Sequence, residues 1–222
     1  MSNYALSIND DLIENPSPRC ACMVVLDTSG SMDGARIQQL NNGIKRFIAA
    51  LQADDVASCS IDVAVITAGG VVTEQLPFST AMNIDHVTEF SAMGGTPIGQ
   101  AVSLALQRLD ERKKSYQHNG VAYYQPWLVL ISDGAPTDHW QTAAAQSRAL
   151  SEQRKLVVLP IGVDGADLSI LGQFSAKPAK ALAGLKFNEF FEWLSASMSR
   201  VSASASTSST VQLPKTDSWD TI

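Results

Sequence analysis

Met23-Val24-Val25-Leu26-Asp27-Thr28-Ser29-Gly30-Ser31 joins a continuous apolar run to a short polar loop. An uninterrupted apolar run of strand length, here beginning at Cys20, reads as a central strand covered on both faces. The loop behind it carries one carboxylate and two hydroxyls at alternating positions: Asp27, Ser29 and Ser31. Hard divalent cations such as Mg²⁺ take oxygen ligands of this kind in near-octahedral array. The alternation lets the three side chains converge on one point, and Gly30 permits a turn that a β-carbon would obstruct. On spacing alone the loop is a candidate metal site, with a phosphate-binding turn and a helix N-cap as open alternatives.

Working outward, Ile37, Leu40, Ile44, Phe47, Ile48 and Leu51 recur at helical spacing and give one apolar stripe. Residues 60–67 and 71–76 are strand-like runs separated by Gly69-Gly70, a link short enough for an antiparallel hairpin. Thr96-Pro97 reads as a helix start, with Thr96 at the N-cap and Pro97 at the first helical position. Ile98, Ala101, Val102, Ala105, Leu106 and Leu109 supply that helix's buried face. Strands are expected at 127–131, 156–161 and 179–182, with helices at 140–154 and 167–174 between them. Phe187, Phe190, Phe191, Leu194 and Met198 make a closing amphipathic helix.

This alternation predicts an α/β fold: a Rossmann-like, doubly wound, mostly parallel six-stranded sheet with one antiparallel edge strand and helices on both faces. A polar lead-in (1–18), one domain (19–201) and a flexible Ser/Thr-rich tail (202–222) are expected. Val211, Leu213 and Trp219 in that tail either pack back on the domain or dock a partner.

The chain has 222 residues, 45% of them hydrophobic, enough for one sizeable core. A net charge of −6 and a pI near 5.0 argue against nonspecific nucleic-acid binding, which needs clustered Lys and Arg. Residues 108–114 interleave Asp110 and Glu111 with the basic side chains and read as a solvated helix end. The N-terminus has no apolar segment of signal-peptide type. No apolar run approaches the roughly 18 residues that a membrane-spanning helix needs. Cys20 and Cys22 face the same side of a strand and Cys59 opens another; all three read as small core residues. His86, His118 and His139 are scattered without zinc-ligand spacing. A cytoplasmic protein fits these features.

Three oxygen-bearing segments fall where an open doubly wound sheet binds ligands, outside the carboxyl ends of its strands. They are Asp27-x-Ser29-x-Ser31, Gly94-Gly95-Thr96-Pro97 and Ser132-Asp133-Gly134. Each alone is an ordinary turn or cap; their co-occurrence carries the weight. In this order, with the third continuing as Ser-Asp-Gly-x-Pro-Thr-Asp, they resemble the von Willebrand factor A domain over residues 20–200. The resemblance implies a metal-ion-dependent adhesion site, with Ser29, Ser31 and Thr96 offering hydroxyls to a cation. It implies that Asp27 and Asp133 bind the cation directly or through water. The expected ion is Mg²⁺, with Mn²⁺ or Ca²⁺ as substitutes, and the open position takes an Asp or Glu of a partner protein. Met32, Asp33, Met93, Ala135 and Thr137 are rim residues on this reading. Asp-Thr-Ser-Gly-Ser-Met, Gly-Gly-Thr-Pro-Ile-Gly and the Tyr123-Tyr124-Gln125-Pro126 approach resemble the TerY-type proteins of tellurium-resistance and stress-response systems. That likeness implies a Ser/Thr kinase and a metal-dependent Ser/Thr phosphatase as partners.

The rival reading is a haloacid-dehalogenase-like phosphatase with Asp27 as the nucleophile. That chemistry needs a second acid two residues on, where this chain has Ser29, whose hydroxyl does not titrate in the required range. Gly30 and Gly34 form neither a P-loop nor a dinucleotide-binding pattern. The expectation is a binding module and not an enzyme.

Overall fold

The computed structural model describes Leu12, Asn15 and residues 17–182, 184–204, 206–208 and 210–216. Six strands form one sheet: β1 (Cys20–Asp27), β2 (Ile61–Gly69), β3 (Val71–Thr80), β4 (Trp127–Ser132), β5 (Val157–Gly162) and β6 (Lys180–Ala181). Their spatial order is β3-β2-β1-β4-β5-β6. All neighbours pair in parallel except β2 and β3, which form the expected antiparallel hairpin at one edge.

All eight residues of β1 are buried, as its continuous apolar run requires. Side chains alternate across a strand, so this run serves two cores. Cys20, Cys22, Val24 and Leu26 face α1 (Ala35–Gln52), α2 (Asp55–Ser60) and α6 (Phe187–Ser202). Ala21, Met23 and Val25 face α3 (Ile98–His118), α4 (Gln141–Glu152) and the short α5 (Leu168–Leu171). Helices therefore cover both faces, and the doubly wound α/β architecture is as the alternation predicted. On the first face α1 packs closely on α6. A β-carbon on Gly43 would lie 2.4 Å from Phe191 Cδ2, so the glycine is what admits the ring. Phe191 in turn packs on Phe47 and edge-on to Phe190.

The helix α2 was not apparent from periodicity, and Cys59 lies in its last turn instead of opening β2. A six-residue helix cannot form on propensity alone; here Asp54 caps it, accepting from the backbone N–H groups of Val56 (3.0 Å) and Ala57 (2.9 Å). The Ala57 bond holds the Asp54 carboxyl below its usual range, although burial opposes the shift. The cap's contribution is thus present at neutral pH and fades as pH falls through that lowered value. Asp54→Ala is expected to cost about 1 kcal/mol in urea unfolding at pH 7.

The segment 108–114 departs from the solvated helix end expected of it. Arg112 is buried, and its Nε and Nη2 donate to Asp62 Oδ2 at 2.9 and 2.6 Å. Asp62, itself fully buried, also accepts from Arg19 Nη1 (3.1 Å), Thr80 Oγ1 (2.9 Å) and Tyr116 Oη (2.5 Å). Burial works against the Arg112 cation, and the Asp62 charge outweighs it, leaving the guanidinium more firmly protonated than usual. Burial, reinforced by Asp62, pushes the Tyr116 hydroxyl well above its ordinary value. One carboxylate thus ties β2, β3, α3 and the residue before β1 together at the amino end of β1 and β2. Arg112 lies on the face of α3 that turns inward, which a charge count along the chain does not reveal.

Part of the tail lies against the domain. Trp193 Nε1 donates to the Pro214 carbonyl (2.9 Å) and Arg200 Nη1 to the Gln212 carbonyl (3.0 Å). Val211 and Leu213 are half-buried against the core on the α6 side. Composition alone suggested a flexible segment, but these interspersed apolar residues have a helix face on which to bury. Trp219 lies outside the described residues, as does most of the lead-in. Leu12 is buried, and Asn15 Nδ2 donates to the Cys59 carbonyl (2.8 Å). Among the described residues no helix is long and apolar enough to cross a membrane.

Candidate metal centre

Strand order reverses between β1 and β4: the chain leaves β1 toward β2 on one side and later returns to β4 on the other. Loops leaving the two carboxyl ends diverge there and open a crevice. Asp27 is the last residue of β1 and Asp133 follows the last residue of β4, so both aspartates stand at its edge.

The glycine-rich segment is carried to the same place by backbone bonds. Gly30 N–H donates to the Gly94 carbonyl (3.0 Å), Met93 N–H to Thr28 (2.8 Å), and Gly70 N–H to Gly95 (2.8 Å). Gly94 has φ +64°, and a β-carbon there would lie 2.5 Å from Gly70 Cα. This crossing of two main chains is what demands glycine. Gly30 has no such demand: its φ is not positive, and a β-carbon would meet only the Gly94 carbonyl oxygen at 3.6 Å.

Thr96 is not the helix cap that its position before proline suggested. Pro97 takes the cap position, and α3 begins at Ile98. The unpaired N–H groups of Gly99 and Gln100 donate instead to Asp138 Oδ1 (3.0 Å) and Oδ2 (2.7 Å). Thr137 holds Thr96 from the same loop: Thr96 N–H donates to Thr137 Oγ1, and Thr137 N–H to the Thr96 carbonyl, both at 2.9 Å. The Pro-Thr-Asp continuation of the third segment therefore clamps the second. Thr96 is 5% exposed, and its hydroxyl has no hydrogen-bond partner among the described residues.

The remaining side chains form one line of contacts. Ser132 Oγ donates to Asp27 Oδ2 (2.5 Å), and Ser29 N–H to Asp27 Oδ1 (2.9 Å). Ser29 Oγ and Ser31 Oγ are 3.0 Å apart, and Ser31 Oγ donates to Asp133 Oδ1 (2.7 Å). Asp133 Oδ2 accepts from Arg36 Nη1 at 2.9 Å. Asp27, Ser29 and Asp133 are all buried. Burial pushes the Asp27 carboxyl above its usual range; bonds from Ser132 and Ser29 pull it back, and the Asp133 charge adds to the rise. Two shielded carboxylates beside hydroxyl lone pairs form a donor set that a small oxygen-seeking dication fits well. His, Cys, Asp and Glu alone do not make such a set: among the described residues no group of three could hold a metal.

Of the expected rim residues, Asp33, Met93, Ala135 and Thr137 are exposed, whereas Met32 is fully buried beneath the loop. Sequence reading did not assign roles to Ser132, Asp138 or Arg36. Ser132 sits inside a recognised motif, and Asp138 ends it, so both had a signal. Arg36, on the first turn of α1, had none.

The chain belongs to the von Willebrand factor type A domain family, whose model matches residues 22–193. Among curated proteins it is 29% identical over 119 residues to inter-alpha-trypsin inhibitor heavy chain H4 from Sus scrofa, covering 51% of this chain and 12% of that one. The chain therefore spans about an eighth of that relative's length. Among solved structures, the fold matches the pilus adhesin SpaC from Lactobacillus rhamnosus GG (TM-score 0.65, 13% identity, 84% of this chain and 30% of that one). It also matches a von Willebrand factor type A protein from Catenulispora acidiphila (0.60, 17%, 82% and 43%). A third match is proximal thread matrix protein 1 of the mussel byssus in a form with a zinc-occupied metal-ion-dependent adhesion site (0.56, 18%, 82% and 46%).

Proposed function

We propose that this chain is a non-catalytic, metal-dependent protein-binding module. Asp27, Ser29, Ser31, Thr96 and Asp133 hold Mg²⁺, or Mn²⁺ or Ca²⁺ in its place, and an Asp or Glu of a partner protein takes an open position on the ion. The supporting observation is the line of contacts from Asp27 through Ser29 and Ser31 to Asp133 at the strand-order reversal. Neutral hydroxyl ligands leave a bound dication electron-poor and ready to accept an external carboxylate. The mussel protein of similar fold has zinc in its metal-ion-dependent adhesion site, which supports a dication at the corresponding place here.

The phosphatase alternative is not favoured. Its nucleophile would be Asp27, the last residue of β1. The position two residues on is Ser29, not an acid.

At the finer level the proposed setting is a bacterial, cytoplasmic stress-response or tellurium-resistance-type system with a Ser/Thr kinase and a metal-dependent Ser/Thr phosphatase as partners. Its support is the motif likeness around Asp27, Gly94 and Tyr123. The proposed functional unit is residues 19–201, with residues 1–18 and 202–222 outside it. Affinity recovery of partners from a bacterial lysate, with and without chelator, tests the module. At least one partner is expected to be lost on chelation and restored by excess Mg²⁺; equal recovery of every partner in both conditions contradicts it.

A further inference from the structure

Arg36 stands on the first turn of α1 and reaches across three loops at the carboxyl edge of the sheet. Its Nη1 donates to the Ser31 carbonyl and to Asp133 Oδ2, each at 2.9 Å, and its Nη2 to the Asp164 carbonyl at 3.2 Å. These acceptors come from the loops after β1, β4 and β5. The side chain is 34% exposed while that of Asp133 is 1% exposed, so the guanidinium forms the solvent-facing wall over a shielded carboxylate. Nε–H and one Nη2–H make no hydrogen bond to the described residues, which leaves two donors of the group unused.

We propose that Arg36 is a second recognition point for the partner carboxylate, acting beside the metal. This rests on the metal-site reading above and adds what makes the loaded site select an anion. Asp27 and Asp133 together offset the charge of a dication, and the hydroxyls of Ser29, Ser31 and Thr96 contribute none. The ion and its five ligands thus sum to zero, and Arg36, in direct contact with Asp133, adds one positive charge to that set. The guanidinium is also fixed in advance by three acceptors, so little conformational freedom remains to be lost when a carboxylate arrives. A planar fork of N–H groups suits a carboxylate better than an ammonium does.

The test uses Mn²⁺ alone and then acetate as the carboxylate probe, on the full chain as wild type, Arg36→Ala and Arg36→Lys. Calorimetry reads the Mn²⁺ affinity; Mn²⁺-induced relaxation of the acetate signals reads carboxylate binding at the loaded ion. In Arg36→Ala the Mn²⁺ affinity is expected to be equal or tighter, since a neighbouring positive charge is gone. Acetate binding to the loaded protein is expected to weaken roughly tenfold, the scale of one lost charge-assisted hydrogen bond. Arg36→Lys keeps the charge without the fork and is expected to fall between the two. Equal acetate affinity in wild type and both variants overturns the assignment while leaving the metal site intact. A wild-type protein that binds no Mn²⁺ overturns the metal reading itself, and the assignment with it. Should Arg36→Ala fail to fold, an Arg36→Lys acetate affinity equal to or above that of wild type counts against the fork.

Discussion

Asp62→Ala is expected to lose about 3–5 kcal/mol of stability, the cost of leaving a buried ion without its partner. That is a large part of the 5–15 kcal/mol typical of a folded domain. The reason lies in what remains after the change. Arg19 and Arg112, at 0% and 5% exposure, would keep their charges in the interior without the carboxylate on which both donate. Tyr116 would also lose the acceptor for its hydroxyl, and Thr80 one of its contacts. Urea or thermal unfolding of the variant measures the loss. A companion variant separates pairing from packing: Asp62→Leu with Arg112→Met removes both charges of that buried pair and is expected to recover part of the stability. If Asp62→Ala unfolds like wild type, the network is not the anchor described here.

The second large effect concerns the metal-free state. A ligand present at 100 times its dissociation constant stabilises the folded state by about 2.7 kcal/mol, here a rise in Tm of roughly 5–10 °C. Saturating Mg²⁺ is expected to give a shift of this order in the wild type and none in Asp27→Asn. The sign reverses without metal. Burial and the neighbouring Asp133 raise the Asp27 carboxyl, so the folded chain binds this proton more tightly than the unfolded chain does. Between the ordinary carboxylate value and the raised one, Asp27 therefore makes stability fall as pH rises, with no further loss above that window. Metal-free Asp27→Asn is expected to lack this fall. Thermal unfolding across acidic pH in the presence of chelator reads it.

Much of the fold was legible in the chain because the core strands are continuous apolar runs. Residues 20–26 and 127–131 could only be central strands, and Gly69-Gly70 between two shorter runs could only be a tight connection. The candidate ligands were legible for a related reason: three oxygen-bearing segments recur at strand ends or helix starts, and only together do they exceed ordinary turns and caps. What stayed hidden depends on distant contacts. Arg112 reads as one more charge in a charged helix until Asp62, fifty positions away, is seen opposite it. Arg36 looks like a free surface residue of α1 until the loops after β4 and β5 bring acceptors beneath it. Thr96 before proline satisfies every local rule for an N-cap, yet Asp138, from a loop forty positions on, fills that role. Local rules name the acceptor available nearby; tertiary structure decides whether a better one arrives.

The most direct test of the central claim is isothermal titration of the metal-stripped chain with Mg²⁺ and Mn²⁺, on wild type and on Ser29→Ala and Asp133→Ala. One ion per chain is expected to bind the wild type, with affinity reduced or lost in each variant. Absence of divalent-ion binding to the wild type, or equal binding to all three proteins, would contradict a metal centre at the end of β1.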